Sequence, residues 1–85
     1  VVWPNVIRAL GPDPQIWETL IDLAWLAVTK ASDPMAHAWK FNVIAEFAPS
    51  GALLDQVYKV ATDAGAVNPD LEEIVGRRFE LEFAG

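Results

Sequence analysis

Met35 to Ala48 reads MAHAWKFNVIAEFA, and the fold turns on whether this stretch winds into a helix or runs as a strand. A helical period tests positions 36, 39, 40, 43, 44 and 47 for apolar character; Lys40 interrupts that stripe and Phe41 falls off it. As a strand from Lys40 to Phe47, Phe41, Val43, Ala45 and Phe47 share one face. Lys40, Asn42, Ile44 and Glu46 then take the other, with Ile44 the one misfit. The carboxyl end tips the balance. Arg77 to Phe83, RRFELEF, alternates cleanly, with Phe79, Leu81 and Phe83 on one face and Arg78, Glu80 and Glu82 on the other. A strand alone leaves its backbone donors and acceptors unpaired, and residues 40–47 offer the neighbour.

The expectation is therefore an α+β fold in a small single domain, residues 1–85. A central helix over 14–31 and a second helix over 51–64 pack on a minimal sheet made of strands 40–47 and 77–83. The alternative is an all-α bundle whose C-terminal segment is an extended strand. The chain begins with valine, which is also compatible with an excerpt of a longer protein.

The central helix is well signalled. Asp13 is a favoured N-cap, Pro14 follows at the first helical position, and Asp33-Pro34 closes the segment. Ile16, Trp17, Leu20, Ile21, Leu23, Ala24, Ala27 and Val28 form its expected core stripe, while Trp25 and Leu26 fall among Glu18, Asp22 and Thr29. Ser50 caps the second helix and Gly65 stops it; Asn68 caps a short helix over Pro69 to Val75, with Gly76 as its stop. At the amino end, Val1 to Trp3 reads as extended and Asn5 to Leu10 as a short helix, with Gly11-Pro12-Asp13-Pro14 a turn.

The totals exclude several function classes. An apolar content of 53% excludes disorder, and the longest apolar run, Leu23 to Val28, is too short for a bilayer span. No signal sequence is evident, so a cytoplasmic location is expected. The chain has no cysteine, so disulfides and thiolate metal sites are absent. Asp33 and His37 share a helical spacing, but a metal site needs more ligands than these. Ser32 and Ser50 read as turn and cap residues rather than nucleophiles, and no glycine-rich phosphate loop is present. No catalytic residue, cofactor or metal is expected, and the chain reads as a non-enzyme.

What remains is surface. Four tryptophans and four phenylalanines in 85 residues point to a structural or interaction domain, self-associating or joined to a protein partner in a larger phage or bacterial assembly. Its expected contact uses Trp25 and Leu26, with Trp3 or Trp39 nearby and Phe79, Leu81 and Phe83 adding a strand across it. The alternative is a nucleic-acid accessory protein of single-strand-binding type, using Lys40, Arg77 and Arg78 beside aromatic residues. A net charge of −6 weighs against that alternative, because phosphate contacts are made by lysine and arginine.

Overall fold

The residues that Met35 to Ala48 buries recur at helical spacing: Ala38, Phe41, Ile44, Ala45 and Ala48. A computed structural model describes Ile7, Ala9, Gly11 and residues 13–83, Phe83 by its backbone only. It contains helices α1 (Pro14–Thr29), α2 (Trp39–Phe47), α3 (Gly51–Ala64) and α4 (Pro69–Arg78). A 3-10 turn (Pro34–His37) leads into α2, and a π-helical turn (Phe79–Phe83) continues α4.

Among the described residues there is no strand. The α+β expectation is thus corrected: residues 40–47 and 77–83 are helical, and the all-α alternative describes the fold except for its extended C-terminal strand, which is a helical turn instead. The reason lies in phase. The stripe weighed above, which contains Lys40, is displaced around the helix from the one that is buried. Phe41, a misfit to the first stripe, is the centre of the second and fully buried. The alternation of the tail is likewise compatible with a helix, since Arg78 and Glu82, four residues apart, pair across one turn. The strand over 40–47 rests on the tail as its neighbour, so a helical tail removes the argument for both.

The expected caps mostly hold. Asp13 Oδ1 accepts from the Gln15 amide at 3.0 Å, Ser50 Oγ from Leu53 at 3.2 Å, and Asn68 Oδ1 from Leu71 at 3.0 Å. Gly65 ends α3 with φ 71°, a conformation glycine adopts without a Cβ penalty. Gly76 does not stop α4, which runs through it to Arg78. α1 ends at Thr29, with Lys30 as its C-cap, slightly before the expected limit.

α1 packs on α3, α2 on α4, and α2 and α3 meet between them. The core joins Trp17, Ile21, Ala24 and Val28 of α1 to Phe41, Ile44 and Ala45 of α2. From α3 it takes Leu53, Leu54, Val57 and Ala61, and from α4 Leu71. Burying a side chain such as Phe41 or Leu54 fully contributes about 1.5–3 kcal/mol. Trp17 is buried, and its indole N–H donates to the Gly11 carbonyl at 2.7 Å, tying the turn before α1 to the core. Ile7 joins the same core, 1% exposed. The expected extended segment Val1 to Trp3, and the rest of the short helix after Asn5, lie outside the described residues.

Candidate functional site

Outside the core, α1 still carries exposed apolar residues. Ile16 is 41% exposed, Leu23 52% and Leu26 41%, with Leu20 and Ala27 half-buried beside them. Ile16 and Leu23, expected in the core stripe, are therefore outside it. The core needs only Trp17, Ile21, Ala24 and Val28, a narrower face than the sequence offers. Ile16, Leu20, Leu23 and Ala27 follow a four-three-four spacing, the seam of paired helices.

Trp25 is placed differently from Leu26. It is half-buried against the core, and its indole N–H donates to Asp63 Oδ2 of α3 at 3.1 Å. The indole that looked outward in sequence is engaged by its own chain, while Leu26 points to solvent.

α2 has a second apolar edge. Trp39, Val43 and Phe47 recur every four residues along it, Met35 of the preceding 3-10 turn continues the spacing, and a groove between α2 and α4 opens over them. The larger part of this groove, about 430 Å³, runs past Val43 and Phe47 to Ile74 of α4; a second part of about 330 Å³ continues past Met35 and Trp39 to Pro69. Asn42 and Asp70 line both parts. Met35 is 50% exposed and Trp39 38%, with the Lys40 ammonium 5.6 Å from the Trp39 ring centre.

Polar groups fix the walls of this groove. Asn42 and Asn68 exchange amide hydrogen bonds at 3.2 and 3.1 Å, joining α2 to the cap of α4. Asn68 also donates to the Ala66 carbonyl and accepts from Leu71, so its amide is fully occupied. Asn42 keeps one N–H and one lone pair beyond this exchange. At the other end Arg77 meets Glu46 at 2.7 Å across the groove. Asp70 and Glu73 line the α4 side, and among the described residues no cation pairs with either.

The cations weighed for nucleic acid are bound into the fold. Arg78, whose side chain is 11% exposed, donates to the Ala45 and Ala48 carbonyls at 3.0 and 2.6 Å and grips Glu82 in two places. It closes the carboxyl end of α2, where the helix dipole is negative. Glu82 is held below its ordinary carboxylate pKa, first by that hydrogen bond, with smaller electrostatic help from Arg78 and Arg77 against a desolvation cost. Arg77 is taken up by Glu46, and Lys40 lies 3.4 Å from His37 Nδ1. Glu72, earlier on α4 than the two arginines, accepts from the Tyr58 hydroxyl at 3.3 Å.

Of the remaining candidates, Phe79 is half-buried against the core and Leu81 is 75% exposed on the π-helical turn. Trp3 and the Phe83 side chain lie outside the described residues. Sequence reasoning passed over Ile16, Leu23, Met35, Val43, Phe47 and Ile74 as surface residues. The available signal was the four-residue recurrence from Met35 to Phe47, a second apolar edge on a helix that already has one.

Among the described residues, no helix is long and apolar enough to cross a membrane, and no group of three or more His, Cys, Asp or Glu side chains is placed to hold a metal ion. Fold and surface define a small all-helical, cysteine-free domain with an open apolar stripe on α1 and an apolar groove between α2 and α4. No known protein family, curated protein or solved structure matches the chain.

Proposed function

We propose that this chain is a non-enzymatic interaction domain that self-associates, two copies pairing along the outer stripe of α1. The observation supporting this reading is the exposure of Ile16, Leu23 and Leu26 on one helix at seam spacing, beside half-buried Leu20 and Ala27. An antiparallel pair about a two-fold axis near Leu23 lays this stripe against itself. It also sets the two helix dipoles head to tail, with Glu18, Asp22 and Lys30 at the rim.

Trp25 keeps its place against α3 in this arrangement, so the contact rests on aliphatic residues next to it. Each copy carries a net charge of −6, so association tightens as salt screens the repulsion. The test is molar mass by light scattering across a wide concentration range, for the wild type, Leu23→Glu and Trp25→Phe. The reading predicts a dimer that Leu23→Glu converts to a folded monomer and Trp25→Phe leaves intact. A wild type that stays monomeric when concentrated, or a Leu23→Glu variant with unchanged mass, would contradict it.

A further inference from the structure

The groove between α2 and α4 shares no residue with the α1 stripe and has a different electrostatic character. Its floor is apolar and adaptable: Met35, Trp39, Val43, Phe47 and Ile74. Its α4 rim is acidic at Asp70 and Glu73, while Arg77, the cation lining it, is spent on Glu46. We propose that this groove binds an amphipathic helical segment of another protein, its apolar edge on that floor and its lysines or arginines against Asp70 and Glu73.

Three observations select this occupant. Among the described residues there is no strand, so there is no strand edge for an extended peptide to join. Along α2 from Trp39 to Phe47 the floor runs roughly 12 Å at 1.5 Å per residue, and the 3-10 turn at Met35 extends it, so that it accommodates about three turns of a docked helix. Unpaired carboxylates on an already acidic surface repel a nucleic acid, and they equally disfavour a second copy of this chain, whose exposed helix stripe is flanked by Glu18 and Asp22. Asn42, with one donor and one acceptor left, stands at the middle of the floor to bond a polar group of the incoming segment.

The experiment selects binders from a displayed library of helical peptides about 14 residues long, a length set by that floor. The chosen peptides are then titrated into labelled protein by NMR. Expected are peptides with apolar residues at three- and four-residue spacing and lysine or arginine on the flank. Their shifts map to residues 35–47 and 69–77, and their affinity falls as salt rises. Glu73→Lys combined with Asp70→Asn weakens them about tenfold. Trp39→Ala, checked for fold by circular dichroism, weakens them as well without changing the salt dependence.

Selection of acidic or uncharged peptides, shifts mapping to α1, affinity untouched by the rim variant, or no selected binder would each overturn the proposal. A single-stranded oligonucleotide that displaces the peptide would overturn it in favour of nucleic acid. Running the titration on the Leu23→Glu variant separates this inference from self-association: peptide binding is expected to survive there whatever the oligomeric state.

Discussion

Arg78 shows how much one side chain carries in a domain this small. Its guanidinium closes two carbonyls at the end of α2 and holds Glu82, so it fastens α4 and the turn beyond it to α2. Arg78→Ala leaves those carbonyls without their donor, and is expected to cost about 1.5–3 kcal/mol of unfolding free energy in urea titrations. Arg78→Lys is expected to recover only part of this, since an ammonium lacks the fork that reaches carbonyl and carboxylate together. Full stability in both variants would show that the contact is idle. Phe41→Ala empties the centre of the buried α2 stripe and is expected to cost about 3–5 kcal/mol in the same assay. Arg78 is also the residue hardest to place from sequence: two adjacent arginines beside an aromatic suggest a ligand, and nothing local reveals that two of its acceptors are backbone carbonyls 33 and 30 positions away in the chain.

At the scale of elements, the caps were legible and the periods were not always so. Asp13, Ser50, Asn68 and Gly65 act as their chemistry dictates, because a cap is decided within a few residues. α2 was misread because it is apolar on two edges, Ala38-Phe41-Ile44-Ala45-Ala48 within and Met35-Trp39-Val43-Phe47 at the groove. Such a helix has no single stripe to find, and a short window then satisfies a two-residue alternation almost as well. The tail was misread because Arg78 and Glu82 satisfy both periods, and their pairing across a turn decides in favour of the helix. This pairing has a pH signature. Glu82 titrates below its ordinary value, so its contribution is complete above that value and is lost as pH falls through the lowered one. In acid the π-helical turn is expected to loosen before α1 and α3 do, seen as early loss of amide protection at residues 79–83. Glu82→Gln is expected to remove that acid step; a tail whose protection is independent of pH in the wild type would contradict it.

For the whole molecule, the core closes without using all of its apolar helix surface. Ile16, Leu23 and Leu26 of α1 are exposed and an apolar groove lies between α2 and α4, on a chain of net charge −6. The two proposed associations have opposite salt responses. An α1 pair between acidic copies strengthens with salt, while a basic helix in the acidic-rimmed groove weakens. The sequence disclosed that apolar and aromatic surface would exceed the core, but it could not say which tryptophan would be covered. That depends on Asp63 of α3 lying across from Trp25, a tertiary placement. Because the chain has no cysteine, the proposed α1 pairing can be tested with a single introduced thiol. The most direct measurement is mild oxidation of Leu23→Cys and of Thr62→Cys, an exposed position on α3, followed by non-reducing electrophoresis. Pairing about Leu23 predicts rapid covalent dimer from Leu23→Cys at concentrations where Thr62→Cys stays monomeric. Equal and slow cross-linking of the two variants would contradict an α1 contact between copies.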